Sequence, residues 1–413
     1  MRLELDCAST MFILGRNKRR NYLIRLSVTL YEPIEKEILQ IALKKTVENY
    51  PWFFIRFVHY QNCLFAEQAK NIPEVREKKD VFRLNLWKNH ENCEAQVTYS
   101  KSTIFLEFFH AVSDGKGGME FLIHLTAEYL SLRYNNDKII QNLPIISNDK
   151  QIENGYQKYA KGFQTKKSYG AAFRIKGTPA QTEISIYRLS VYEIKQMAKK
   201  YEVSITVFMS ALLSMALSNI QKESYTKYKQ RKIRLLIPVN LRNLFHCNTI
   251  RNFTLNVCPE MEPEKDSDIS QICNKFNKYM KSATQTVQLA GQCAAATKIC
   301  DFGIVKTLPI SIRKWLVQAM LDLPFTGSSM TFSNMGAVLL PTEMVVHVKK
   351  FEMAFSAKPD APYSCAAISM NDEMNLTFLR TIKEPTLEKH FENLLNNLKI
   401  RFEKTTNCLT GGN

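Results

Sequence analysis

The stretch Phe108-Phe-His-Ala-Val-Ser-Asp-Gly-Lys-Gly-Gly118 concentrates residue types that can move protons. His110 follows Thr103–Phe109, in which Ile104, Leu106 and Phe108 alternate with Phe105, Glu107 and Phe109 and predict a strand. A histidine at a strand's end stands just outside the sheet. Its ordinary pKa of about 6.5 lets it accept a proton near neutral pH, as a general base must. Asp114, four residues on, is placed either to pair with the imidazole or to brace the loop through an arginine. Gly115, Gly117 and Gly118 allow positive φ and close backbone approach. An isolated His-x-x-x-Asp also suits a structural histidine beside a turn; the strand-loop-helix setting, with helical periodicity over Met119–Tyr134, favours chemistry.

The remaining periodicity supplies elements to hold this stretch. Strands are predicted over Asn21–Tyr31, Trp52–Val58, Val81–Trp87 and Ala95–Tyr99, with a helix over Ile34–Asn49 closed by Pro51. Trp52, Phe53, Phe54 and Phe57 read as core rather than as a ligand platform. Residues from about Gln141 to Thr182 lack strong periodicity and read as a linker, its basic part Lys161–Lys176 as a solvated one. Beyond it come a strand (Thr182–Leu189), a helix (Val191–Tyr201), the uncharged Val203–Ile220, strands at Ile233–Val239 and Asn252–Glu260, and a helix over Asp268–Thr284. Strands at Ser329–Asn334, Val345–Ala354, Ser364–Met370 and Leu376–Thr381 precede a helix over Thr386–Thr405, with Asn371-Asp372 as a hairpin turn. Mixed elements in both halves predict two α+β layers rather than an alternating doubly wound sheet.

The chain has 413 residues, 45% hydrophobic and 23% charged, which excludes disorder and exceeds a single small core. Lys and Arg number 56 against 39 acids, a net charge of +17 that suits an anionic partner: nucleic acid, an acidic membrane surface or a phosphorylated small molecule. The densest basic run, Arg16-Asn-Lys-Arg-Arg20, is brief, and no nucleic-acid-binding motif accompanies it, so no nucleic-acid partner is expected. Ten cysteines without a Cys-x-x-Cys pair, and an N-terminus (Met1–Asp6) unlike a signal peptide, lead to the expectation of free thiols and a cytoplasmic location. Val203–Ile220 is long enough to resemble a membrane span, yet Ser210, Ser214 and Ser218 stripe one face; it reads as a buried core helix with no membrane span, Ser204 or Thr206 capping its start. No Gly-x-Ser-x-Gly elbow or phosphate-binding loop occurs. Asp301-Phe-Gly303 lacks kinase partners and reads as a turn. His110 with Asp114 lacks a third metal ligand nearby, so no metal is expected, and His59, His90, His124, His246, His347 and His390 read as structural.

His110-Ala-Val-Ser-Asp114-Gly115 resembles the H-x-x-x-D-G motif of the CoA-dependent acyltransferase superfamily, which includes chloramphenicol acetyltransferase, peptide condensation domains and alcohol O-acetyltransferases. Ile237-Pro-Val-Asn-Leu-Arg242 resembles its P-V-x-L-R strand, and Thr206–Ser218 its central helix. Thr331-Phe-Ser-Asn-Met-Gly336 resembles the S-N-x-G segment typical of the alcohol acetyltransferase-like branch. Arg251-Asn-Phe253 falls where the family often has Gly-Asn-Phe, with Arg251 departing from it. Phe109 stands where condensation domains usually carry a first histidine. The resemblance implies two chloramphenicol acetyltransferase-like subdomains, residues 1–165 and 166–413, each a mixed sheet with helices, with an active-site tunnel between them. It implies direct acyl transfer, most simply acetyl, from acyl-CoA as co-substrate to a small alcohol, with no permanently bound cofactor. His110 would be the base, Asp114 would point away and pair with an arginine, Arg242 foremost, and Gly115 would support the loop. Ser333 and Asn334 would bond the oxyanion or line the acceptor channel. Two other readings stay open: a stand-alone condensation-type enzyme using an acylated carrier protein or an amine acceptor, and a catalytically silent member binding an anionic ligand or partner.

Overall fold

The computed structural model describes residues 2–81, 84, 93–162, 170–224, 230–263, 265–266, 268–300, 307–322 and 327–406. Most of the predicted strand Val81–Trp87, Asp301–Gly303, His90 and part of Lys161–Lys176 lie outside them. In chain order the elements are β1 (Arg2–Glu4), α1 (Cys7–Gly15), β2 (Leu23–Leu30), α2 (Lys36–Asn49), β3 (Ile55–Tyr60), β4 (Cys63–Gln68), β5 (Arg76–Glu77), β6 (Ala95–Ser100), β7 (Thr103–Phe109) and α3 (Gly115–Tyr134). The short helices α4 (Lys138–Gln141), α5 (Asn148–Gln151) and α6 (Gly155–Lys158) lead to β8 (Pro179–Ser190), α7 (Val191–Lys200), α8 (Ile205–Ser224), β9 (Ile233–Asn240), α9 (Arg242–Phe245), β10 (Thr254–Val257) and β11 (Glu260–Met261). Then come α10 (Ile269–Ala283), α11 (Thr286–Cys300), α12 (Ile310–Asp322), β12 (Met330–Ala337), α13 (Thr342–Val345), β13 (Val348–Phe355), β14 (Tyr363–Met370), β15 (Glu373–Ile382), α14 (Thr386–Asn397) and β16 (Phe402–Thr406).

A five-stranded sheet in the order β13-β2-β7-β6-β5 forms the N-terminal half, and a larger sheet runs β10-β9-β12-β14-β15-β8-β16 with β11 beside β9. Both are mixed: β5 lies parallel to β6, and β12 lies parallel to β9 and β14. One face of the N-terminal sheet (Ile24, Leu26, Val28, Leu106, Phe108) buries against α2 and α3. The larger sheet buries Cys365, Ala367, Leu376 and Phe378 against α8, α10 and α14. Its other face turns Ala366, Ile368 and Met370 into the N-terminal core, so the two halves pack sheet face toward sheet. Strand β13, far along the chain, pairs antiparallel with β2, so residues 348–355 complete the N-terminal sheet from beyond residue 166.

Several expectations are corrected by caps and pairing. The predicted helix after the glycine-rich stretch starts at Gly115, because Asp114 caps it: its Oδ1 accepts from Gly117 N at 3.0 Å. The glycines therefore lie in the first helical turn and not in a positive-φ loop. What they provide is close approach; a Cβ at Gly117 would collide with Ile250 O and Ser113 Oγ. Met11–Leu14 belongs to α1, capped by Asp6 Oδ1 accepting from Ser9 N at 2.7 Å. Trp52, Phe53 and Phe54 are buried, as core residues should be, but in a turn that precedes β3. The linker from Gln141 is partly built into the fold, with Gln151, Tyr156 and Phe173 buried. The last predicted helix stops at Asn397; Lys399 turns left-handed (φ 56°), and Phe402–Thr406 pairs with β8. Helix α8 starts where Ser204 Oγ accepts from Val207 N at 3.3 Å, and Ser210, Ser214 and Ser218 are buried along it. No single described helix is long and apolar enough to cross a membrane; only the pair α7–α8, bent by 85°, passes on length and composition.

Strand β7, which delivers His110, is locked by charge on its second face. Glu107, fully buried, accepts from Arg25 Nη2 (2.6 Å) on β2, Gln96 Nε2 (2.7 Å) on β6 and Lys78 Nζ (3.0 Å) beyond β5. Removing one member of such a set strands the others as buried charges. Glu107→Leu is expected to cost about 3–5 kcal/mol of stability in chemical denaturation, whereas exchanging the exposed Glu32 on the same half should change it little.

Candidate active site at the seam

His110 leaves the sheet immediately after β7, its N–H still in the ladder through Tyr22 O at 2.8 Å. The imidazole Nδ1 lies 3.1 Å from Ser113 O and 3.0 Å from Asn252 Nδ2, and Asn252 Nδ2 also reaches His110 O at 3.3 Å. The tautomer assigned from this network puts the proton on Nδ1, donating to Ser113 O, while the Asn252 amide donates to the His110 carbonyl. Nε2 then carries the free lone pair and has no hydrogen-bond partner among the described residues. The ring is half-buried, and Phe12 of α1 stacks on one face, centroids 4.3 Å apart at 18°. Burial pushes the His110 pKa below its usual 6.5, against the raising influence of Asp114 and the Ser113 carbonyl.

Asp114 points away from the imidazole, into the seam. Its Oδ2 accepts from Arg242 Nη1 and from Phe253 N, both at 2.8 Å. Burial alone would raise this carboxyl, but Arg242 and the Gly117 and Phe253 amides outweigh it and hold it below the carboxylate range. Arg242 follows β9 and uses four of its five N–H donors: besides Asp114, Nε donates to Thr249 O (2.7 Å), Nη2 to Arg251 O (2.6 Å) and Nη1 also to Asn240 Oδ1 (3.1 Å). The ion pair is a strut between halves, with both side chains buried. Behind it opens a cleft of about 480 Å³, lined among others by Lys116, Asn240, Arg242 and His246; His110 is not part of its wall.

The triplet at 251–253 fastens three parts of the site in turn. Arg251 Nη2 pairs with Asp6 Oδ2 at 2.9 Å, anchoring the cap of the helix that carries Phe12. Asn252 touches His110, and the Phe253 amide binds Asp114. The departure from glycine at 251 therefore has a partner in the N-terminal half. Asn252, Ser113 and Phe12 are contacts that reading the sequence did not assign; the prior signals were the positions of Asn252 inside the quoted triplet and of Ser113 inside the quoted His110–Gly115 motif.

Ser333 and Asn334 separate by strand alternation. Ser333 sits opposite Ala366 in the β12–β14 ladder, and Ala366 faces the N-terminal core, so Ser333 looks toward the half that carries His110. Asn334 faces the helical side, where its Nδ2 donates to Thr206 Oγ1 at 3.0 Å and its Oδ1 accepts from Gly336 N at 3.0 Å. Gly336, with φ +76°, permits the irregularity that ends the strand. Gly115 lies against Met335, its close approach leaving no room for a Cβ beside the Met335 sulfur.

No protein-family model and no curated protein sequence matches this chain. Solved structures do. A variant of the starter condensation domain of rhizomide synthetase in complex with C8-CoA superposes with TM-score 0.64 at 12% identity, over 97% of this chain and 94% of that one. Trichothecene 15-O-acetyltransferase from Fusarium sporotrichioides gives 0.62 at 12% identity, over 96% and 94%. The F. sporotrichioides protein TRI101, complexed with coenzyme A and T-2, gives 0.60 at 11%, over 97% and 100%. The chain has the fold shared by condensation domains and CoA-dependent acetyltransferases, with two halves of mixed sheet and helix.

Asp114→Asn removes the charge that Arg242 faces. A loss of about 3 kcal/mol or more is expected, read as a lower melting temperature. Because the folded Asp114 pKa lies below the ordinary 3.8, its stabilisation is fully present above that value and lost as pH falls through the depressed pKa. The parent should therefore lose stability more steeply in acid than Asp114→Asn does.

Proposed function

We propose that the protein transfers an acyl group, most simply acetyl, directly from a CoA thioester to the hydroxyl of a small alcohol. The observation that carries this reading is the Nε2 of the half-buried His110, without a hydrogen-bond partner among the described residues, on a ring whose Nδ1 is held by the backbone. Support comes from the fold, shared with acetyltransferases and with a condensation domain that was solved with an acyl-CoA bound. Both substrates would reach Nε2 along the seam between the halves, in a passage between the two sheets.

In this mechanism His110 Nε2 takes the proton of the acceptor hydroxyl as its oxygen attacks the thioester carbonyl carbon. The carbonyl π electrons move to oxygen, giving a tetrahedral oxyanion; on collapse the C–S bond breaks, and imidazolium returns the proton to the CoA sulfur. No acyl-enzyme forms. Ser333, on the sheet face turned toward the N-terminal half, is the proposed oxyanion donor; Asn334, committed to Thr206 and Gly336, shapes the strand end instead. Asp114 and Arg242 are positioning residues. They fix the loop and leave the base neutral, because the negative charge on Asp114 is spent on Arg242 rather than on the imidazole.

His110→Ala is expected to abolish CoA release from acetyl-CoA with a panel of alcohols, beyond the roughly 10²–10⁴-fold of a general base. Ser333→Ala should lower kcat by about 10²–10³-fold, the effect of one oxyanion donor. The base must be neutral, so kcat/KM should rise with pH along an acid limb whose midpoint lies below 6.5 and then level off. Equal rates in parent and His110→Ala would overturn the enzyme reading. Activity only with an acylated carrier protein, or only with amines, would move the protein to the condensation-type alternative.

A further inference from the structure

The basic run Arg16–Arg20 plays no part in the site, and the structure places it beside an apolar helix face with no protein covering among the described residues. Helix α12 packs against α1: Gln318 Nε2 donates to Leu14 O (3.3 Å) and Arg16 O (3.2 Å), and Leu321 lies against Gly15. Arg20 reaches Leu321 O at 3.4 Å and pairs with Asp322, fixing the basic turn to the end of the helix. Its outward side repeats apolar residues at helical spacing: Ile312, Trp315, Leu316, Ala319 and Met320. Trp315 is 67% exposed, Ile312 43%, Met320 40% and Leu316 39%. In the basic turn fixed to the end of the helix, Lys18 and Arg19 are exposed and make no ion pair among the described residues, while Asp322, the one acid of the helix, is taken by Arg20.

We propose that this face docks on an anionic lipid surface, α12 lying in the headgroup plane with Trp315 and its neighbours inserted and Lys18 and Arg19 against lipid phosphates. Tryptophan with aliphatic side chains on one side and lysine or arginine around them is the pattern of an interfacial helix. Size argues for lipid over protein. A helix of 13 residues is about 20 Å long and about 10 Å wide, so its outward side offers roughly 200–300 Å². A stable protein interface takes about 800 Å² from each partner. The net charge of +17 adds attraction to an acidic bilayer without a shaped partner surface.

The test is co-sedimentation of the full chain with vesicles of phosphatidylcholine alone and of phosphatidylcholine containing phosphatidylglycerol. Binding about tenfold or more stronger on the anionic vesicles is expected, weakening with added salt. Trp315→Glu should reduce it about tenfold, and Lys18→Glu with Arg19→Glu should remove the preference for anionic lipid. Circular dichroism melting unchanged in either variant separates lost docking from lost folding, and the exposed positions of both make that the expected result. Equal binding to both vesicle types, no binding to either, or a dimer in sedimentation velocity that Trp315→Glu splits would each overturn the proposal, the last assigning the face to a second copy of this chain.

Discussion

The buried pair Asp114–Arg242 is the constraint on which the site depends. One carboxylate caps α3, accepts a backbone amide from residue 253 and meets a guanidinium from the other half. A buried charge of this kind is tolerable only when its lone pairs are filled, and here every donor comes from a different segment. The loop carrying His110 is therefore defined only when both halves are in place. Site geometry and inter-half packing are one event.

That arrangement also explains the division of labour between His110 and Asp114. A carboxylate aimed at the imidazole would raise its pKa and hold a proton on it. Turned toward Arg242 instead, Asp114 leaves burial as the dominant influence, and burial favours the neutral ring. The Nδ1 face is fixed by Ser113 O, so that Nε2 alone remains for chemistry. Stacking by Phe12 gives the ring an apolar wall, and the Arg251–Asp6 pair holds that wall from across the seam.

Behind the site, rigidity comes from β7. Its inner face is apolar and buried on α3, and its outer face carries Glu107 among three donors. Neighbouring strands on both sides contribute to that set, so the register that presents His110 is pinned by charge as well as by alternation. The outer surface follows different rules: among the described residues, α12 leaves apolar side chains exposed beside cations that make no ion pair, a cost that the proposed docking on a lipid surface would offset.

Local physics wrote much of this in the sequence. Alternation at Thr103–Phe109, the cap residue Asp114 and the small residues after it are nearest-neighbour signals, and they located the strand end, the loop and the helix. The part of the second half came instead from resemblance, carried by Ile237–Arg242 and Thr331–Gly336. Short-range patterns fail where a partner is distant. Nothing near Asn252 says that its amide will meet His110, because that contact spans 142 residues of chain and exists only once the sheets pack face to face. The same holds for β13 crossing to β2, for Phe402–Thr406 adding to β8 and for the opposite facing of Ser333 and Asn334, which depends on ladder register. The sequence by itself determined which residues have the types for the proposed chemistry and on which elements they ride. Tertiary structure alone decided which of their atoms remain free to perform it, since hydrogen-bond saturation and burial are properties of the assembled seam.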